Sequence, residues 1–282
     1  MTLRTISAAL ALAAAALLPA GAAQAAPADG GADYVALGDS GAATTGAVNL
    51  DTSVPLLCLR SRTNTPHFVA ERLGLRLDDR TCSSARLAHL TTSQYPGVAP
   101  QFDALGPNTR LVTVHIGAND AKFTNYMLGC HAAALRGGCA GTPDNWNADI
   151  DAIAAPYAAA LQQISTLAPN ATIVVDGWPQ YLRDGGCPEL LGLAAGDARY
   201  IQSHFERLNS VVARAATAQG AVYVDTRTAS IGHDACAPEG VRWFDPLLAT
   251  ETLLPYHPTV QGMRGVAAEI VTAVRTAGVL AR

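Results

Sequence analysis

Residues 110–116 (RLVTVHI) are the clearest buried strand in the sequence, because they are rich in β-branched side chains and are followed by Gly117. Residues 34–37 (YVAL) form a second predicted strand, which ends at Gly38-Asp39-Ser40. Helix-length periodic segments separate these strands from three more. This alternation predicts an α/β domain with three layers, α/β/α, around a central parallel sheet of about five strands. The other predicted strands are residues 75–77, 171–175 and 222–224.

Four helices are predicted from apolar periodicity and from residues typical of helix ends. Thr65 and Pro66 form one helix start, as N-cap and first-turn proline, and Gly74 is its stop. Pro156 kinks or restarts the second, alanine-rich helix. The predicted helices are residues 67–73, 150–167, 197–219 and 259–277. The connections 41–66, 129–147 and 176–196 are longer than plain loops, and each contains or adjoins a cysteine.

Composition and the N-terminus define the class of protein. The chain has 282 residues and a net charge of −4 without a basic cluster, which excludes nucleic acid as a main partner. Residues 1–25 have the pattern of a secretory signal peptide, with Arg4, an apolar stretch at 6–18 and small residues up to Ala25. The apolar stretch, about 13 residues long, is too short to span a membrane. Residues 26–32 are then a short tail and residues 33–282 a single domain. We expect a secreted monomer without a transmembrane segment once the signal is removed.

The cysteines fit an exported protein. Their number, six, is even, and in an oxidising compartment this favours three disulfides over free thiols. Sequence alone leaves the pairing open, although Cys130 and Cys139 flank a glycine-rich loop and are near enough to close it locally. The spacings typical of zinc sites are absent, so we expect neither a metal nor another cofactor.

Three polar residues stand where chemistry is expected in such a fold, which binds ligands beyond the carboxyl ends of its strands. Ser40 follows the first strand, Asn119 follows the strand 110–116, and His257 opens the last helix. A serine hydroxyl is a poor nucleophile unless a base lies within hydrogen-bond reach and donors stabilise the developing oxyanion. Together the three residues predict nucleophilic catalysis.

At these segments the sequence resembles the GDSL or SGNH hydrolase family, in its secreted actinobacterial esterase and lipase branch. The resemblance covers essentially all of residues 33–282. The segments that carry it are YVALGDS at 34–40, TCSSA at 81–85, IGAND at 116–120, HPT at 257–259 with Gly262, CLRS at 58–61, GHDAC at 232–236 and RWF at 242–244.

The resemblance implies the flavodoxin-like SGNH-hydrolase fold and a serine esterase or lipase that hydrolyses carboxylic esters through an acyl-enzyme, with no cofactor. It implies Ser40 as nucleophile and His257 as general base. The oxyanion hole would be the backbone N–H groups of Ser40 and Ser84 with the side-chain amide of Asn119. The implied disulfides are Cys58–Cys82, Cys130–Cys139 and Cys187–Cys236.

The substrate would be a small-molecule or lipid ester. Lipase, phospholipase, carbohydrate esterase and acyltransferase activities all remain open, since they differ in loop-built pockets. The alternative is a catalytically weak exoprotein of the same fold that acts by binding.

The sequence departs from the family pattern at two positions that affect the site. Ser84 stands where the family usually has glycine, so its N–H serves the oxyanion only if the local backbone suits a non-glycine residue. Leu254 stands where the family often has the aspartate that orients the histidine. We expect the Leu254 backbone carbonyl to orient His257 instead, with Asp245 or Glu251 as alternatives.

Overall fold

The central sheet has five parallel strands. They are β1 (Tyr34–Gly38), β2 (Leu77–Asp79), β3 (Leu111–His115), β4 (Thr172–Asp176) and β5 (Val222–Val224). The structure is a computed structural model that describes residues 32–44 and 48–278. The signal peptide predicted at 1–25 lies outside the described residues.

The strand order is β2–β1–β3–β4–β5, the order of a flavodoxin-like, doubly wound sheet. Every residue of β1 and β3 is buried, as expected for central strands that are covered on both faces. The edge strand β2 is short and half-buried and carries Asp78 and Asp79, which disfavour pairing with a further strand. The predicted parallel sheet is confirmed.

Helices cover both faces of this sheet. They are α1 (Ser40–Ala43), α2 (Thr65–Leu73), α3 (Phe123–Ala133), α4 (Trp146–Asp151), α5 (Ala154–Leu167), α6 (Ala195–Ala218), α7 (Thr226–Ala229) and α8 (Val260–Thr276). Helix α2 packs against α8, whereas α4 and α5 pack against α6, and both groups also contact β4. The fold is therefore the predicted three-layer α/β/α arrangement.

Helices α2 and α8 bring the early and late parts of the chain together. The Thr65 hydroxyl donates to the carbonyl of Met263 (3.3 Å), and the Arg264 guanidinium lies over the ring of Phe68. The approach of α8 to the preceding loop requires glycine at position 262, because a Cβ there would overlap the carbonyl oxygen of Trp243. This packing fixes the start of α8, three residues after His257.

Two predicted boundaries near α2 are wrong. The N-cap of α2 is Asn64 rather than Thr65, since the Asn64 side chain accepts the N–H of His67 (3.2 Å). Strand β2 begins at Leu77 rather than at residue 75. The reason is that the N–H of Leu75 bonds the carbonyl of Ala70 (3.0 Å) and so still belongs to the end of the helix.

The region 123–167 differs most from the prediction. The predicted helix 150–167 is divided into α4 and α5, and Pro156 lies in the first turn of α5, where its missing N–H costs no hydrogen bond. Helix α3 was not predicted. It occupies part of the stretch that the sequence indicated as the long loop 129–147.

Three disulfides order the long connections, and their pairs are those that the family resemblance implied: Cys58–Cys82, Cys130–Cys139 and Cys187–Cys236. The first disulfide joins the loop at Cys58 to the turn at 82–85. The N–H of Cys82 donates to the carbonyl of Gly38 (3.1 Å), and this bond holds the same turn beside β1. The second closes the chain that follows α3. No helix of the described residues is both long and apolar enough to cross a membrane.

Candidate active site

The turn after β1 presents Ser40 in a rigid backbone. The side chain of Gln101 hydrogen-bonds both backbone groups of Gly38, since its Oε1 accepts the N–H and its Nε2 donates to the carbonyl. The N–H of Asp39 donates to the carbonyl of His115 (2.9 Å). A Cβ at position 38 would lie 2.7 Å from that same carbonyl oxygen, so only glycine fits this approach of β1 to β3. The turn places Ser40 at the point between β1 and β3 where the strand order reverses.

Asp39 caps the short helix α1 that begins at Ser40. Its Oδ1 accepts the N–H of Gly41 (2.9 Å), and the carboxyl group is buried. Burial raises the pKa of Asp39 to about 6, while the charge on His115 acts in the opposite direction. Within the described residues, the N–H of Ser40 has no acceptor, so it is free to serve a ligand.

A cavity of about 310 Å³ opens beside this turn and is lined by Ser40, Asn119 and His257. The three residues come from separate parts of the chain, and the fold brings them to one cavity. Most of the other lining side chains are apolar: Phe123, Met127, Leu128, Trp178, Tyr181 and Phe205.

A larger groove of about 750 Å³ lies elsewhere, beside β2. It is polar, and its charged side chains already pair with one another: Arg80 with Asp78 at 2.7 Å, and Arg60 with Asp79 at 3.7 Å. None of the three predicted catalytic residues lines it. The smaller cavity is therefore the candidate active site.

His257 is oriented by a backbone carbonyl. Its Nδ1 donates to the carbonyl oxygen of Pro255 (2.9 Å), which leaves Nε2 as the atom that can accept a proton. Burial lowers the pKa of His257, against the opposing effect of the Pro255 hydrogen bond. The ring is therefore neutral at pH 7, as a general base requires.

The prediction that the Leu254 carbonyl orients His257 is wrong by one residue. The carbonyl of Leu254 instead accepts the Thr252 hydroxyl (3.0 Å) and the backbone N–H of His257 (3.3 Å). This second bond closes a turn, and within it the ring reaches the carbonyl of Pro255.

Neither of the alternative carboxylates bonds the His257 ring. Asp245 is fully buried, pairs with Arg242 (3.1 Å) and accepts the N–H of Thr252 (2.6 Å). Glu251 also pairs with Arg242 (3.0 Å). The carboxylate of Asp245 therefore fixes the loop that carries His257 rather than the ring itself.

Asn119 and Ser84 lie on two loops that one hydrogen bond joins. The side-chain amide of Asn119 donates to the carbonyl of Ala85 (3.0 Å), and since an amide nitrogen carries two hydrogens, one remains available. Ser84, next in the chain to Ala85, has a left-handed backbone with φ of 64°. This is the conformation that glycine adopts most easily, and the serine tolerates it in an exposed turn outside the cavity lining.

The apolar wall of the cavity was missed in the sequence. Phe123 and Met127 are four residues apart on α3, a helical spacing that the sequence shows but that Gly129 and the following cysteine loop obscured. Tyr181 and Phe205 stack with ring centroids 4.1 Å apart and come from a loop and from α6. A local sequence pattern cannot predict a cavity wall that is built from segments so far apart in the chain.

The fold and this cavity together define the SGNH class of α/β/α hydrolases. The family model described as the GDSL-like Lipase/Acylhydrolase family matches residues 36–264, and the chain belongs to this family. It is 43% identical to "Lipase 2" of Streptomyces coelicolor over 246 residues, which is 83% of each chain. The protein is accordingly a carboxylic ester hydrolase.

Solved structures agree with this assignment. Phospholipase A1 from Streptomyces albidoflavus aligns with a TM-score of 0.70 and 28% identity, over 88% of this chain and 99% of its own. The extracellular lipase of Streptomyces rimosus aligns with a TM-score of 0.68 and 28% identity, over 87% of this chain and 99% of its own.

Proposed function

We propose that Ser40 is the nucleophile and His257 the general base of an acyl-ester hydrolase that works through an acyl-enzyme. The observation that carries this proposal is the single cavity lined by Ser40, Asn119 and His257. A neutral imidazole whose Nδ1 is already bound presents Nε2 to a serine proton. This arrangement supports the dyad without a carboxylate.

The reaction follows from these positions. As Ser40 Oγ attacks the ester carbonyl carbon, His257 Nε2 takes the hydroxyl proton, and the Pro255 carbonyl stabilises the resulting imidazolium through Nδ1. His257 then returns the proton to the leaving alcohol, and the acyl group stays on Ser40. Water attacks this ester with His257 again as base, which releases the acid and restores the serine.

The oxyanion is assigned to two donors that line the cavity, the free N–H of Ser40 and the second amide hydrogen of Asn119. The N–H of Ser84, the third donor that the family resemblance implied, belongs to a residue outside the cavity lining, so its role stays a prediction. The bond from Asn119 to the Ala85 carbonyl holds the amide in place before substrate arrives. Such fixed donors act mainly on the transition state, because negative charge collects on the carbonyl oxygen only as the tetrahedral intermediate forms.

The acyl chain of the substrate is assigned to the apolar wall, which favours a lipid ester over an acetylated carbohydrate. Exposed leucines near the cavity support this assignment, since Leu128 is 52% exposed and Leu253 is 74% exposed. The names of the similar proteins, a lipase and a phospholipase A1, point the same way. In a panel of esters with increasing chain length, Met127→Trp should reduce hydrolysis of long-chain esters and spare acetate esters. Equal losses on both would contradict the assignment.

We also propose that the protein is secreted. Residues 1–25 have the pattern of a signal peptide, and the similar Streptomyces rimosus lipase is described as extracellular. Mass determination of the protein from culture medium would test both the predicted cut before Ala26 and the export itself.

A serine-directed fluorophosphonate tests the mechanism. We expect stoichiometric labelling at Ser40, identified by peptide mass mapping, and loss of labelling in Ser40→Ala and His257→Ala. Ser203→Ala is a matched control, because this serine lies exposed on α6 and donates to the carbonyl of Tyr200. An unlabelled wild-type protein that is folded would contradict the proposal and favour the binding protein of the same fold.

A further inference from the structure

His115, the last residue of β3, lies directly beneath the turn that carries Ser40. A Cβ on Gly41 would overlap Nε2 of this histidine and lie 2.7 Å from its Cδ2. Position 41 therefore has to be glycine for the ring to fit. The ring also packs against Trp178, a cavity residue, with centroids 4.7 Å apart. His115 thus lies between the nucleophile turn and the cavity wall, although it takes no part in the mechanism above.

A carboxylate on the neighbouring strand β4 holds this ring. Nδ1 of His115 donates to Oδ2 of Asp176 (2.7 Å), and the two side chains are 7% and 4% exposed. Burial disfavours a charged ring, but the charge and hydrogen bond of Asp176 outweigh it and raise the pKa of His115 to about 9. The ring is therefore an imidazolium at neutral pH.

The ring of His115 and the carboxylate of Asp39 both lie close to Gly41, since a Cβ built there would overlap Nε2 of His115 and lie 3.4 Å from Oδ1 of Asp39. Oδ1 of Asp39 accepts the Gly41 N–H, whereas Oδ2 and the Nε2 of His115 are both buried without a hydrogen-bond partner in the described residues. The charges of Asp120, beyond β3, and Asp176 raise the pKa of Asp39, and His115 lowers it. Burial, and to a smaller extent the charge of Asp39, raises the pKa values of the Tyr157 and Tyr181 phenols above the usual value.

We propose that His115, paired with Asp176, is a positioning residue that keeps Asp39 ionised and so fixes the turn that presents Ser40. An ionised carboxylate is the stronger acceptor for the Gly41 N–H, and this bond holds the turn in which the Ser40 N–H has no acceptor within the described residues. The inference rests on the proposed role of Ser40. His115 acts through Asp39 and Gly41 and does not touch the substrate.

The test is the pH dependence of Ser40 phosphonylation by a fluorophosphonate in wild type and in His115→Asn, whose shorter amide keeps a donor towards Asp176 but carries no charge. We expect the acid-side midpoint of the rate to rise by about one pH unit, because a nearby positive charge is lost. The rate then falls about fivefold near pH 6 and much less near pH 8. A uniform loss at every pH, with the midpoint unchanged, would mean a purely structural role and would overturn the inference.

His204→Asn is the matched control. This histidine is also buried, but its Nδ1 bonds the carbonyl of Tyr200 (2.7 Å) and burial lowers its pKa, so the ring is neutral. Its replacement should lower stability without moving the midpoint. An equal shift in this variant would assign the effect to general loosening of the fold and contradict the inference.

Two further measurements decide the matter if His115→Asn does not fold. NMR titration of the wild-type protein should show the His115 ring charged throughout the range of pH 5–8, and a transition near the usual value of about 6.5 would overturn the inference. Asp176→Asn removes the charge of Asp176 and also the interaction that keeps His115 charged. The pKa of Asp39 should rise in this variant, because the charge of His115 affects it more than the charge of Asp176 does. Failure of wild type to label at Ser40 would instead overturn the proposed function, so the two failures are distinguishable.

Discussion

Two histidines close to Ser40 are held through the same ring atom, Nδ1, by different acceptors. His257 donates to a backbone carbonyl, that of Pro255 at 2.9 Å, and His115 donates to the carboxylate of Asp176 at 2.7 Å. Burial lowers the pKa of the first, whereas the carboxylate raises the pKa of the second to about 9. The comparison teaches that the acceptor decides the charge: a carbonyl orients a neutral base, and a carboxylate holds a buried cation.

Removing the neutral histidine gives the largest expected effect. His257→Gln retains a polar side chain but has no atom that takes the proton from Ser40, so kcat should fall by roughly 10⁴-fold or more. Steady-state hydrolysis of a chromogenic ester measures this loss. His233→Gln is the control, because this ring lies near the surface and bonds the carbonyl of Val241. If His257→Gln kept a tenth of the activity, another base would be at work.

Crowding the charged histidine is the next test. In Gly41→Ala the new methyl group overlaps the ring of His115, so either the ring or the turn must move, and kcat should fall by roughly 10²-fold. In the double variant with His115→Ala the overlap is gone. The fold-decrease in kcat of the double variant should therefore be smaller than the product of the fold-decreases in the two single variants. Strictly multiplicative losses would show that the two positions do not interact.

The charged histidine should also make stability depend on alkaline pH. The folded-state pKa of His115, about 9, lies above its unfolded value of about 6.5. Its contribution is therefore fully present below about pH 6.5 and is lost as the pH rises through about 9. Between these limits the melting temperature of wild type should fall by on the order of 5 °C. His115→Asn should show a flatter profile, and an equal slope in both proteins would refute the assignment of charge.

The smallest effect is expected where only a backbone atom is used. Leu254→Ala leaves the carbonyl groups of residues 254 and 255 in place, so kcat should stay within about threefold of wild type. Steady-state ester hydrolysis measures kcat, and the melting temperature checks whether the substitution disturbs packing. Near-total loss would mean that the Leu254 side chain itself supports the orientation of His257.

The fold followed from short apolar runs and glycine stops, because buried parallel strands need both. The strands at 34–37 and 110–116 are predictable for this reason, and their ends, with the start of the last helix, indicate Ser40, Asn119 and His257. The family resemblance adds the catalytic roles of these residues, which remain predictions. The acceptor of His257 was misplaced, since a turn closed by Leu254 decides which carbonyl the ring reaches. Charge on His115 was equally hidden, because Asp176 meets it only across two paired strands.

The packing of α2 on α8 also determines at which stage of folding the active site is complete. Ser40 lies near the start of the described chain and His257 just before its last helix, so the contacts that join them are among the longest in sequence. Long-range contacts of this kind form late, after the cost of closing the chain has been met. A nascent chain that still lacks α8 holds a serine and a prepared turn but no positioned base. The appearance of esterase activity during refolding therefore reports when the contact between α2 and α8 has formed.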